Sequence, residues 1–162
     1  MNNRPRRRVG ALVAVAVVAL ATACAPRTPG EDSWREDALR ALSDVRSSVQ
    51  VTRVALEQAS DDRLFDRYLQ TVVVDAEEAA GASADRFAGF QPPPSERERY
   101  DAVTGQLDAA AGLLSEVRIA VVAGNQGQLP DLLTQLHDAA QSLEQLDHDL
   151  RHPPEDPAGA GP

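Results

Sequence analysis

The chain has 162 residues, enough for one domain, and 43% of them are hydrophobic, a usual share for a globular protein. All 16 basic residues are Arg, and from residue 24 onward the chain holds 12 of them against 25 acidic residues, a formal charge of −13. Such an acidic surface repels phosphate backbones and anionic headgroups, which argues against nucleic-acid binding and against electrostatic adhesion to a lipid surface.

The first 24 residues have three parts. Arg4 to Arg8 form a basic start, Val9 to Ala19 form an apolar stretch, and small residues follow up to Cys24. This order is typical of a cleaved signal peptide. The apolar run from Val9 to Ala23 is shorter than the roughly 20 residues that a spanning helix needs. Retention of this segment as a membrane span stays open as the alternative.

These residues resemble the signal peptides of the bacterial lipoprotein class, whose lipobox places Leu three positions before a Cys. Here Ala21 occupies that position and Leu20 precedes it. The resemblance covers residues 1–24, and it implies cleavage after residue 23 and a diacylglycerol on the sulfur of Cys24. It also implies a location on the extracytoplasmic face of the cell membrane. Arg7 and Arg8 leave both the general and the twin-arginine export routes open.

The remaining chain resembles small helical envelope lipoproteins of GC-rich bacteria. We expect a tether over residues 24–32, because Pro26, Pro29 and Gly30 disfavour helix there. A helical domain then covers residues 33–152. Residues 153–162, rich in Pro, Gly and acid, are expected to be a disordered tail.

The first two helical segments show apolar or small residues at alternating spacings of three and four. Ser33 with Glu36 predicts a capping box at the start of the first, and residues 60–62 predict its end. The second segment spans about residues 63–88 and stops before Pro92. The predicted buried stripes are Ala38, Leu42, Val45, Val49, Thr52, Leu56 and Ala59, and then Phe65, Leu69, Val72, Ala76, Ala79, Ser83 and Phe87.

The third segment starts with a second capping box, Ser95 and Glu98, and stops at Gly124. The fourth starts near Pro130 and stops at Pro153. Their predicted stripes are Tyr100, Val103, Leu107, Ala110, Leu114, Val117 and Val121, and then Leu129, Leu132, Leu136, Ala139, Leu143, Leu146 and Leu150. A further strip of Gly105, Ala109 and Gly112 indicates either close approach of a neighbouring helix or merely tolerated small residues.

No segment has the alternation that a strand needs. We therefore predict an all-α protein, an up-down-up-down four-helix bundle preceded by a signal-peptide helix, because the segments have similar lengths and short connections. A dimer of helical hairpins is the alternative, since such stripes also suit partner helices.

The residues that carry common enzyme chemistry are scarce. Cys24 is the only Cys and Met1 the only Met, which excludes thiolate catalysis, Cys-ligated zinc, iron–sulfur clusters and haem held by His and Met. His148 and His152, four residues apart, are weak candidates for a metal site, and solvated side chains are the default interpretation. Trp34 either packs against the fourth helix or faces a lipid surface. We predict no catalytic residues, no metal and no cofactor.

These observations favour a non-enzymatic interaction or structural module of the cell envelope. Its expected partners are the membrane, through the lipid on Cys24, and an envelope protein, with no nucleic acid. The alternative is a carrier or sensor that binds a small molecule or a metal between its helices.

Overall fold

The computed structural model of the protein describes residues 30–61 and 63–153, and these residues form four α-helices. They are α1 (Glu31–Ser60), α2 (Asp66–Ala88), α3 (Arg97–Val122) and α4 (Leu129–Arg151). Short 3-10 turns at Pro94–Glu96 and Gln126–Gln128 precede α3 and α4. The described ranges contain no strand, so the predicted all-α class is confirmed. The predicted signal peptide, Cys24 and the tail from residue 154 lie outside the described residues.

Neither predicted capping box forms. Helix α1 begins at Glu31 rather than Ser33, and the Ser33 hydroxyl donates to the Gly30 carbonyl at 3.0 Å. Helix α3 begins at Arg97, and the Ser95 hydroxyl donates instead to the Glu31 carboxylate. Acidic residues in the first turn of each helix interact favourably with the helix dipole without a capping side chain.

The predicted helix ends agree with the structure. Helix α1 ends at Ser60, whose hydroxyl donates to the Leu56 carbonyl at 2.9 Å. Helix α3 ends two residues before Gly124, which has a φ of 69°. Glycine adopts this left-handed conformation without the steric cost that a Cβ brings, and helices often end on it.

The four helices pack around one aliphatic core. Helices α1 and α3 each contact the three other helices, so they meet across the centre of the bundle. The stripes predicted for α1, α3 and α4 are buried at most positions. The largest fully buried side chains include Trp34, Leu42, Leu56, Phe87, Leu107, Leu114, Leu136 and Leu143.

The stripe predicted for α2 is wrong in three places. Phe65 is 87% exposed because α2 begins only at Asp66, and Phe65 precedes it as an extended residue. Val73 and Ala80 are buried, whereas Val72 is half-buried and Ala79 is exposed. Adjacent residues of equal hydrophobicity give the pattern no basis for choosing between them. Packing against α1 and α3 selects Val73 and Ala80 at these two positions, while Leu69, Ala76, Ser83 and Phe87 are buried as predicted.

The strip of small residues on α3 does not admit a close neighbour. Gly105, Ala109 and Gly112 are exposed. A Cβ added at Gly105 or Gly112 would meet no heavy atom within 4 Å. These glycines are therefore tolerated on the surface, where Ala109 and Gly112 line an open depression between α3 and α4.

We expect Val117→Ala to lower the free energy of unfolding by about 2 kcal/mol, because it removes two buried methyl groups and leaves a gap in the core. Val117 is fully buried, while Val122 on the same helix is 57% exposed. The control Val122→Ala should change stability by less than about 0.5 kcal/mol. Equal losses in urea unfolding for the two variants would contradict the assigned core.

Candidate functional site

Four aromatic side chains close one end of the bundle, which we call the aromatic end: Trp34, Phe87, Phe90 and Tyr100. The Phe87 ring centroid lies 6.2 Å from that of Trp34, 6.4 Å from that of Phe90 and 5.5 Å from that of Tyr100. The Tyr100 hydroxyl donates to the Ala88 carbonyl at 2.8 Å. The start of α1, the end of α2 and the start of α3 therefore meet here. Trp34 is fully buried, so it packs into the bundle.

A buried carboxylate lies at the same end. The Glu96 side chain is 4% exposed, and both of its oxygens accept hydrogen bonds of 3.0 Å from Arg99. Arg35 of α1 approaches to 4.0 Å. A buried charge with these partners is compensated, so it serves to fix the turn before α3 against α1. Sequence reasoning missed this residue, since a Glu within the charged run Glu96 to Arg99 gives no sign of burial.

The main unexplained surface is an apolar channel between α1 and α2, which we call the outer groove. It encloses about 370 Å³. Val51, Val54 and Tyr68 in its walls are 50%, 47% and 59% exposed. The residues that line it are Gln50, Val51, Val54, Ala55, Gln58, Leu64, Tyr68 and Val72.

The groove continues along both helices toward the aromatic end and becomes charged. A second depression shares Val51 and Val72 with it and extends to Ser47 and Asp75. Further along, a depression of about 260 Å³ is lined by both acidic and basic residues together with two aromatic rings. Its lining residues are Asp37, Arg40, Ala41, Asp44, Ser83, Arg86, Phe87 and Phe90. The walls thus change from apolar to charged along their length.

A sequence signal for this groove exists beside the core stripe. Positions 37, 40, 44, 47, 51, 54 and 58 of α1 repeat at spacings of three and four, as do positions 68, 72, 75, 79, 82 and 86 of α2. Large apolar residues in these rows stand only far from the aromatic end, at Val51, Val54, Tyr68 and Val72. In the sequence, each of these rows therefore looks like an ordinary solvent-exposed helix face. The groove becomes apparent only when α1 and α2 are placed side by side.

The two candidate metal ligands lie side by side at the end of α4. The ring centroids of His148 and His152 are 4.7 Å apart, and the Asp149 carboxylate lies 3.5 Å from Nδ1 of His148. Within residues 30–61 and 63–153, no group of three or more His, Cys, Asp or Glu side chains is arranged to hold a metal ion. Both imidazoles are exposed, as solvated side chains would be.

Asp147 on the same helix accepts hydrogen bonds from Arg151 at 2.7 and 3.0 Å. This contact lowers the pKa of Asp147 below its ordinary value, although partial burial opposes the shift. A carboxyl whose pKa is lower in the folded state stabilises the fold above its unfolded-state pKa. That contribution is lost as the pH falls through the folded-state pKa.

We expect Arg151→Gln to lower the Tm at pH 7. This deficit should shrink as the pH falls below about 4, because the carboxyl of the unfolded state takes up a proton there and that of the folded state does so at lower pH. Thermal melts of both proteins across this range measure the effect. Asp147→Asn should lower the Tm at pH 7 similarly, and adding Arg151→Gln to it should cost nothing further. A deficit that stays constant down to pH 2 would contradict the assignment.

Comparisons with known proteins add no assignment: no family model, no curated protein and no solved structure matches the chain. None of the helices in the described ranges is both long and apolar enough to cross a bilayer. Cys24, the predicted site of lipid attachment, lies outside those ranges.

Proposed function

We propose that the protein is a lipid-anchored, extracytoplasmic module of the cell envelope that binds a protein partner and catalyses no reaction. The observation that carries this proposal is the outer groove, where aliphatic and aromatic side chains stay about half exposed on an otherwise acidic protein. Contiguous exposed apolar surface of this kind marks interaction sites on soluble domains. Tyr68, with its apolar ring and polar hydroxyl, is a residue type enriched in such interfaces.

The anchor in this proposal is a diacylglycerol on Cys24. It is supported by the basic start, the apolar stretch and the small residues before this Cys, the only one in the chain. More than one acyl chain is needed for stable anchoring, and a lipidated N-terminal Cys carries at least two. Helix α1 begins at Glu31, so the six residues 25–30 form the connection, which spans at most about 20 Å. The aromatic end then lies close to the membrane.

We also propose the up-down-up-down order for the four helices. Contacts between helix ends support it: Trp34 lies against Phe87, and Phe87 lies against Tyr100. In the depression next to these rings, Ser83 donates to the Asp44 carboxylate at 3.5 Å. Val54 follows Glu31 by 23 residues, about 35 Å along a helix. The apolar part of the outer groove would thus face away from the anchoring membrane, where a neighbouring protein can reach it.

The anchor is tested by Cys24→Ala. We expect the unchanged protein to fractionate with membranes and its intact mass to show cleavage after residue 23 plus the acyl groups. The variant should lack the mass of the acyl groups, and it should no longer fractionate with acylated proteins. A native protein that retains Met1, or a variant that stays acylated and membrane-bound, would contradict the anchor.

The groove is tested by a photo-crosslinking amino acid placed at Tyr68 in the native cells. Irradiation should give discrete protein adducts, because an interface residue lies within reach of its partner. The same probe at Ile119 of α3, which is 55% exposed and outside the groove, is the matched control and should give at least tenfold less adduct. Equal yields at both positions would contradict a specific interface at the groove.

A further inference from the structure

Two histidines at the end of α4 form a pair that the proposed function does not use. The backbone N–H of His152 donates to the His148 carbonyl at 2.9 Å, so the two residues lie one helical turn apart on the same face. Their ring centroids are 4.7 Å apart, and the ring planes are inclined by 50°. Both residues are exposed, so an ion in solution can reach them.

The separation of the two rings suits a shared metal ion. Two histidines at this spacing on a helix bind one ion in helical zinc sites. With metal–nitrogen distances of about 2.0–2.1 Å, two imidazoles on one ion have centroids about 4.5 Å apart at a right angle and about 5.2 Å apart at a tetrahedral angle. The observed 4.7 Å lies between these values. The rings therefore need no change in their separation to bind the same ion.

A carboxylate favours one nitrogen of His148 as the ligand. Nδ1 of His148 lies 3.5 Å from Oδ1 of Asp149, and the same oxygen accepts a hydrogen bond of 2.9 Å from Gln145. A histidine that binds a metal usually directs its other ring nitrogen toward a carboxylate, a carbonyl or water, which fixes the proton on that nitrogen. Here this arrangement leaves Nε2 of His148 free to bind.

The charges around the pair also favour a cation. The pair lies where α4 ends, at the negative end of the helix dipole. Arg151 lies there too, but its guanidinium donates to the Asp147 carboxylate at 2.7 and 3.0 Å, which compensates its charge. The formal charge of −13 from residue 24 onward raises the concentration of cations near the surface.

We propose that His148 and His152 bind one divalent transition-metal ion, with Cu²⁺ bound most tightly, and that Asp149 orients His148 toward it. Imidazole suits copper, nickel and zinc, and affinity along the first transition row is highest for Cu²⁺. Two protein ligands are fewer than the three or four of catalytic and structural zinc sites, so the ion exchanges with solution. The site lies at the end of α4, apart from the outer groove and from the lipid on Cys24.

The test is calorimetric titration of CuCl₂ into the untagged full-length chain in detergent at neutral pH. All samples carry Cys24→Ala, because a free thiol is itself a metal ligand. We expect one Cu²⁺ to bind per chain and Zn²⁺ to bind more weakly, while Mg²⁺, which prefers oxygen ligands, should show no saturable binding. A Mg²⁺ isotherm like that of Cu²⁺ would overturn the proposal, because it would indicate general attraction to an acidic surface.

His148→Gln and His152→Gln should each weaken Cu²⁺ binding by about tenfold or more, because one remaining imidazole lacks the gain from a second, linked ligand. His137→Gln is the matched control, since His137 is an exposed residue of the same helix about 16 Å away along its axis. It should leave the dissociation constant unchanged. Circular dichroism of all three variants should show the helical content of the parent chain. Equal losses in the three variants, or no loss in either variant of the pair, would overturn the proposal.

Pulsed electron paramagnetic resonance of the Cu²⁺ complex gives a signature that a merely structural role would not change. The parent chain should show two bound imidazoles, and His148→Gln or His152→Gln should show one. Asp149→Asn should weaken binding by about tenfold, because carboxylates that orient a metal-binding histidine contribute on this order. A single imidazole in the parent chain would overturn the shared ion, and unchanged binding in Asp149→Asn would overturn the role of the carboxylate.

Discussion

Burial of the α1 stripe is the constraint on which the rest of the molecule depends. Helix α1 contacts the three other helices, and Leu42, Val45, Val49 and Leu56 along it are almost wholly inaccessible to water. The chain has few aromatic residues, so these aliphatic contacts, together with their counterparts on α3 and α4, supply most of the hydrophobic stabilisation. When this stripe faces the core, the neighbouring row of α1 residues, positions 37 to 58, lies at the edge of the contact with α2. This row forms the α1 wall of the outer groove.

The sequence predicts the buried face of a helix well only where neighbouring residues differ clearly in hydrophobicity. In α4, leucines alternate with polar residues, and Leu132, Leu136 and Leu143 are buried as predicted. In α2, runs such as Val72-Val73-Val74 present equal hydrophobicity on several faces, and only tertiary packing selects Val73. Periodicity thus locates a helix more reliably than it orients one that is rich in Ala and Val.

The wrong predictions for polar side chains have a related cause. The pattern of Ser33 with Glu36, and of Ser95 with Glu98, is a local signal, but each hydroxyl donates to another group and does not accept from a helix N–H. Ser95 donates to Glu31, which is 64 residues away in sequence and adjacent only after folding. The burial of Glu96 is also nonlocal in part, since Arg35 of α1 approaches it to 4.0 Å, although both of its hydrogen bonds come from Arg99 three residues away. The candidate site is likewise nonlocal, because neither wall of the groove is distinctive until the other lies beside it.

The position of Trp34 has a mechanical consequence. Its amide donates to the Gly30 carbonyl at 3.0 Å, and its indole is enclosed beside Phe87, so the chain passes from tether to core within a single helical turn. In the proposed anchored state, a force applied through Cys24 would reach the aromatic end directly, because no flexible segment of the domain lies between Gly30 and Trp34. Such a force would therefore act first on the contact between α1 and α2 at the aromatic end, where Trp34 packs against Phe87.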